Sequence, residues 1–559
     1  MADSAARDST ARDNAVAPDT IKAAIAQARL PVLADPGGSH HWTRATMFET
    51  GALTVQELLD RVPGLTGLRS NWIAQPILGA YLGSPGRVRV FLDGFEIEQL
   101  DPRSGGVVDL SQLSIWSLDD LVVERTASEV RIHMRSWRVD RTTPFTRTDI
   151  YTGDQNTNLY RGLFGRRYRH GEVFQLAGQQ FSTTPGRAAG SSDQLGIMAR
   201  LGIARVSWTA DLVLNSLSRH RGASFPLTLD DTVDVVESTR RDAYLRFGWQ
   251  DTARGLWAQG MAGTSTLELQ GVSGSAADST TARSRAQYVA TGGYARGALS
   301  ATFTQRYLVG FARHVAQPGA RFGWDSRLVS ASISAEGRGL DSTRRTDASV
   351  VVRPVSFAYL GVGYARERPA VDSMVGSPTF ARLEAGVRLK DVWVSGGVMG
   401  RDEIDLAGAP DARAATPTVF DSADAGAFAA VRGRVWKAVH VNAHLTRWSD
   451  TLSAYRPQYQ THTEVYVSTA ALHRFPTGNF HFRASVVHEY RSAILWPTDT
   501  GGIRVPGYRT ISTMLQFKIV NAEAFWTYRN AFSHRYYEIP GYRLPRITSV
   551  YGVRWEFWN

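Results

Sequence analysis

From about Arg141 to Asn559 the chain keeps one constraint: apolar and polar residues alternate with a period of two. Val439, Val441, Ala443 and Leu445 alternate with His440, Asn442, His444 and Thr446. Ile511, Thr513, Leu515, Phe517 and Ile519 alternate with Ser512, Met514, Gln516 and Lys518. Trp208, Ala210, Leu212 and Leu214 alternate with Thr209, Asp211 and Asn215, with Val213 the one exception. Successive side chains of a strand point to opposite faces, so each such segment is a strand with one apolar and one polar face.

A soluble sandwich would show the same alternation, but the loop lengths separate the two cases. Short connections near Pro354, Lys390-Asp391, Val435–Lys437, Pro476–Gly478 and Val520-Asn521 alternate with long polar ones. The long ones are Glu367–Pro378, Arg401–Ala423, Asp450–Gln460, Arg491–Gly507 and Ser533–Arg546. Short turns at one end and long loops at the other are the habit of an outer-membrane barrel. About 21 candidate strands can be counted, and the even number such barrels require makes this about 20 or 22. The last strand ends at the short-turn end, which places the C-terminus in the periplasm. In TSVYGVRWEFWN, Tyr551, Val553, Trp555 and Phe557 share one face and Gly552, Arg554 and Glu556 the other, which suits lipid outside and lumen inside. No apolar run is long enough for a membrane helix, and a β-barrel needs none.

The remaining composition excludes more than it assigns. The 51 glycines, 20 tyrosines, 15 tryptophans and 23 phenylalanines fit a barrel with aromatic girdles. Cysteine is absent, so disulfides and thiolate metal sites are ruled out. The net charge of +11 is spread over single arginines, not concentrated in a basic run, which argues for lumen, loop and rim positions and against nucleic-acid binding. No nucleophile elbow, Walker loop or zinc-protease pair occurs; His488-Glu489 lacks the second histidine such a pair needs. His440 and His444, four apart on one strand, are too far apart to chelate one ion. The chain is therefore expected to be no enzyme and to carry no cofactor and no metal.

Ahead of the barrel, the segment Arg87–Ile97 (RVRVFLDGFEI) is a short strand running into an Asp-Gly turn. Upstream, Thr54–Gly64 (TVQELLDRVPG) forms a helix of about two turns with Thr54 and Glu57 as a capping box. Val55, Leu58, Leu59 and Val62 are its apolar side, and Pro63-Gly64 end it. Downstream, Leu118–Thr126 (LDDLVVERT) is a second β-rich piece.

In this order, ELLDRVPG, VFLDG and DDLVVERT resemble the plug domain of TonB-dependent outer-membrane receptors. The residues carrying the resemblance are Leu58, Leu59, Val62, Pro63, Gly64, Val90, Leu92, Asp93, Gly94, Asp120, Val122, Val123 and Glu124. Tyr551, Val553, Trp555 and Phe557 resemble the C-terminal aromatic signature of outer-membrane barrels. The expected fold class is mainly β: a large antiparallel transmembrane β-barrel with a small N-terminal α/β plug domain inside it. Residues 1–44 are expected to be a flexible periplasmic arm, 45–139 the plug-like domain and 140–559 the barrel.

The resemblance implies a receptor that imports a solute when its plug is displaced. Its partners would be outer-membrane lipid, the barrel assembly machinery, an unknown solute and a TonB-type energising complex gripping the arm. Leu30–Leu33 is the only apolar candidate for that grip, and a short helix fits Ile21–Arg29. The implied location is the cell outer membrane; residues 1–30 hold neither a basic n-region nor an apolar h-region, so a signal peptide is not visible in this numbering. Two departures favour an alternative, a degenerate, permanently plugged barrel that binds partners. Gly67–Gly86 lacks the family's glycine- and arginine-rich strand, and Val122–Ser128 passes almost directly into Glu129–Ser136 without the glycine-tyrosine loop.

Overall fold

The structure is a computed structural model describing residues 39–558 apart from 74, 76, 102–106, 140–141, 185–189, 223–234, 251–253, 274–275, 311–312, 338–342, 369–375, 407, 409–418, 471–478 and 499–500. Twenty-two antiparallel strands form a closed barrel. Closure comes from the final strand, Thr548–Trp558, which pairs with the first, Phe145–Gly153, from Val550↔Gly153 to Trp558↔Phe145. A closed ring leaves no strand edge unpaired, which a hydrocarbon surround demands.

The period-two pattern sorts the side chains as the sequence implies. Tyr551 and Trp555 are 54% and 56% exposed on the outer face, Val553 lies between them, Phe557 is half-buried, and Arg554 points inward and is buried. Val213 breaks the alternation for a reason: it faces the lumen with Asp211 and packs, fully buried, into the core of the inner domain. Leu515 is exposed on the outer face, while its neighbours Met514 and Gln516 are buried inside. Leu515→Arg is therefore expected to destabilise the inserted barrel by about 2–4 kcal/mol near the midplane. Urea unfolding in lipid vesicles measures this; Gln516→Ala is the lumen-side control.

The connections sort by end. Residues 356–357, 390–391, 437–438 and 520–521 make tight turns at one end, with Lys390, Lys437 and Val520 at positive φ. Pro476–Gly478 lies outside the described residues. The long connections at the other end depart from the expectation of polar surface loops. Three contain hairpins of their own: Ile404–Leu406 with Val419–Asp421, Ile494–Thr498 with Gly501–Val505, and Tyr537–Ile539 with Tyr542–Arg543. Their apolar residues, Trp496, Val505, Ile539 and Tyr542 among them, turn inward and join the core of the inner domain.

That inner domain holds a sheet of five strands, β1 (Ser39–Thr43), β4 (Val88–Leu92), β5 (Phe95–Glu96), β6 (Leu118–Arg125) and β7 (Val130–Ser136), in the order β1-β6-β7-β4-β5, so residues 39–44, expected to end the arm, belong to this domain because β1 pairs along β6. A separate hairpin joins β2 (Leu65–Arg69) to β3 (Ile77–Tyr81). Two short helices, α1 (Arg44–Glu49) and α2 (Val55–Leu59), complete it. The second helix is shorter than the expected Thr54–Gly64, and its capping box is not formed. The Thr54 side chain makes no capping bond, and Glu57 instead accepts from the Leu53 amide at 2.9 Å. The reason is that Glu57 also turns to the barrel wall, where it pairs with Arg529. Asp93 and Gly94 form the expected turn, with φ of +53° and +93°, values that a two-residue hairpin of this twist requires.

Candidate functional site

The plug-like domain is held against the barrel wall by ion pairs and by an apolar cluster shared with wall residues such as Met198, Val213, Phe380 and Phe428. Arg87 binds Glu367 with both terminal nitrogens at 2.9 Å, and Arg125 reaches Glu384 at 2.9 Å. In the opposite sense Glu96, Glu98 and Glu124 accept from the wall residues Arg306, Arg285 and Arg321 at 2.7–3.1 Å. Asp93, in the Asp-Gly turn, accepts from the wall's Tyr244 hydroxyl at 2.9 Å and faces Arg246 at 3.4 Å. The arginines read from the sequence as scattered are thus largely inward and paired; Arg147, Arg200 and Arg246 are fully buried.

A chamber of about 120 Å³ opens between this domain and the wall, near the long-loop end. Its floor is α2 together with the turn after it, and carries Glu57, Asp60 and Arg61. Its wall carries Glu489, Thr510 and Thr527, and Tyr536 and Leu544 of the last long loop roof it. The chamber mixes both signs of charge and is sized for a few waters or a small polar group. Arg61 pairs with Glu464 at 3.4 Å. Burial alone would raise the Glu57 carboxyl, but Arg529 beside it holds it below the usual carboxylate range.

Asp60 is the exception. Among the described residues its carboxylate accepts from Gln56 Nε2 at 2.7 Å, and burial pushes it up to about 6, with Glu489 and Glu538 adding to the rise and Arg69 opposing it. A carboxyl whose folded value is raised destabilises the fold when it ionises. Stability is full below the unfolded value near 3.8 and declines as pH rises through about 6. Asp60→Asn is expected to remove that decline, stabilising the plug at pH 7.5 by on the order of 1–3 kcal/mol. Hydrogen exchange of α2 amides at pH 5 and 7.5 measures it.

Beside the chamber the barrel grips the β2–β3 hairpin. Glu538, on the hairpin of the last long loop, is fully buried. Its carboxylate accepts from the Arg69 amide at 2.8 Å, from Arg69 Nη2 at 2.7 Å and from the Tyr508 hydroxyl at 2.7 Å. Arg491 donates to the Gly67 carbonyl at 2.6 Å, and Arg401 to that of Leu82 at 3.2 Å. Tyr455 meets Trp496 edge-on, ring centroids 5.1 Å apart, within the same apolar cover.

The residues singled out in the sequence fall into different places. Leu58, Leu59, Val62, Val90 and Val123 are fully buried in the plug core, with Leu92 packed against it. The Pro63 carbonyl accepts from Arg125 at 3.1 Å, and Gly64 takes φ +84°. Asp120, Val122 and Glu124 lie on the opposite face of β6, and with Phe91, Gly94 and His133 they flank further gaps against the wall. None of these residues lines the chamber. Asp60, Arg69, Tyr508 and Glu538 escaped the sequence reading. The signal that could have found Glu538 is its setting, YYEIPGYRL, where apolar and aromatic residues crowd a stretch expected to be a polar loop.

No family model matches the chain, and no curated protein matches it. Solved structures do match. The siderophore receptor PirA from Acinetobacter baumannii superposes with a TM-score of 0.72 at 10% identity, over 93% of this chain and 98% of that one. The FrpB iron transporter from Neisseria meningitidis (F3-3 variant) gives 0.72 at 9% identity, over 94% and 100%. The ferric-catecholate import receptor Fiu from E. coli K12, in its open form, gives 0.63 at 12% identity, over 94% and 97%. The shared property is the fold. Over 93–94% of its length this chain has the fold of those structures, with little sequence in common.

Proposed function

We propose that this chain is an outer-membrane receptor of the TonB-dependent kind, admitting a solute when its plug is pulled or rearranged. The short-turn end then faces the periplasm and the long-loop end the exterior. Residues 1–38 would engage an energising partner from the periplasmic side, the outer face would meet lipid, and barrel assembly machinery would insert it. Ferric siderophores are the first solutes to try, because the matching structures are described as siderophore and iron receptors.

The observation that carries this reading is the set of ion pairs that the plug makes with the wall beside its apolar contacts. Ion pairs fix register, while desolvation offsets most of their attraction, so they orient the plug without adding a deep well. A permanently plugged, partner-binding barrel is the second reading, favoured by the inward hairpins that cover β2–β3.

Uptake in whole cells separates the two. With iron-55 enterobactin and iron-55 catecholate mixtures, deletion of residues 1–38, which leaves β1 and α1 intact, is expected to abolish energy-dependent uptake while the barrel still inserts. Uptake indifferent to the arm, or none for any ferric complex, would favour the second reading.

A further inference from the structure

The Glu538 carboxylate is held as a bound ligand would be, by groups from two separate parts of the fold. The plug supplies the Arg69 guanidinium and the Arg69 main-chain amide; the wall supplies the Tyr508 hydroxyl. A second cation, Arg491, lies over the Tyr508 ring at 4.9 Å and is buried. One of its nitrogens donates to Gly67, and its Nη2 has no hydrogen-bond partner among the described residues. The half-buried Arg69 guanidinium, a tyrosine hydroxyl and a main-chain amide therefore converge on one carboxylate, with the buried Arg491 packed beside Tyr508. That set is built for an anion richer in oxygens than a single glutamate.

The glutamate itself arrives on a finger. Tyr537–Ile539 and Tyr542–Arg543 pair across a tip in which Gly541 takes φ +79°. Ile539 and Tyr542 at the tip are buried on the plug, and Tyr536 at its base packs at a tilt of 44° against Tyr508, ring centroids 4.6 Å apart. This finger also roofs the chamber, which Arg69 lines from below.

The geometry points to an anion-recognition site between plug and wall, formed by Arg69 of the plug with Arg491 and Tyr508 of the wall, that the barrel's own Glu538 occupies as a stand-in until an anionic solute displaces it. The inference rests on the receptor reading and deepens it: the solute class is anionic, bearing carboxylate or catecholate oxygens, and the last long loop is the cap it must lift. Glu538 is then a specificity device, since a neutral or cationic solute gains nothing by replacing it.

The absence of cysteine makes the test direct. Ile539→Cys places a single thiol under the closed cap, in full-length protein in outer-membrane vesicles, where a membrane-impermeant maleimide reads its exposure. Adding Glu538→Gln is expected to speed labelling by at least about tenfold, because the charged bonds of the latch are lost. With Glu538 intact, citrate and ferric enterobactin are expected to speed labelling, and cationic ferrioxamine B is not. Arg69→Gln should erase the response to both anions. Tyr542→Cys serves as a second reporter should Ile539→Cys perturb the tip. Labelling that ignores both Glu538→Gln and the anions would overturn the proposal, as would equal acceleration by ferrioxamine B. Either result would leave the receptor reading standing if uptake still required residues 1–38; loss of arm-dependent uptake alone would instead remove the receptor reading and keep the anion site.

Discussion

Asp211→Ala is expected to release the plug from its deepest anchor. Three guanidinium groups converge on this wall carboxylate: Arg200 at 3.1 Å, Arg246 at 2.6 Å and, from the segment after β7, Arg138. Arg246 also faces Asp93 of the Asp-Gly turn, and Arg200 donates to the Ser136 hydroxyl and the Trp137 carbonyl at 3.1 Å. The whole cluster is buried or nearly so. Taking away the acid leaves three cations sharing the one carboxylate of Asp93. Breaking a buried pair by removing one partner costs about 3–5 kcal/mol, far more than forming it contributes.

The loss should fall on plug docking and leave the barrel closed, since the strand pairing of Asp211 with Gly202 and Arg246 uses main-chain groups. Limited proteolysis of folded barrel in detergent measures it. Cleavage within residues 60–130 is expected in Asp211→Ala and not in the parent chain. Equal protection in both would mean that the other ion pairs hold the plug unaided.

Much of the architecture was legible because two of its constraints are periodic. Alternation along Val439–Thr446 and Ile511–Ile519 reports strands in any setting, and the sorted loop lengths turn those strands into a barrel. The terminal strand is legible for the same reason, as each of Tyr551, Val553 and Trp555 must meet lipid. The plug signature was readable too, through Asp93-Gly94, whose turn chemistry is local.

The features that escaped depend on distant partners. Glu57 reads as a capping residue because nothing near it in sequence announces Arg529. Arg69 and Glu538 are 469 positions apart, and no local pattern joins them. The long connections were read by their polarity and length, yet Ile539, Tyr542 and Trp496 turn inward because the plug offers apolar surface that water does not. The arginines, read as lumen, loop and rim residues, do line the lumen, but their carboxylate partners on plug and wall are distant in sequence, as Arg306 with Glu96 and Arg321 with Glu124.

The central claim is that the plug moves against the wall, and one covalent bond tests it. Ala127, in the turn between β6 and β7, faces Gly363 of the wall, and a Cβ placed on Gly363 would lie 3.7 Å from that of Ala127. Disulfides have Cβ atoms about 3.8 Å apart, so Ala127→Cys with Gly363→Cys should close without moving the backbone. No other thiol exists to compete. Uptake of the iron-55 complex identified in the arm-deletion screen is expected to fall to background in the oxidised double variant. It should return on reduction, and both single variants should behave as the parent chain. Full uptake through the closed disulfide would contradict the claim, since a solute would then cross with the plug fixed to the wall.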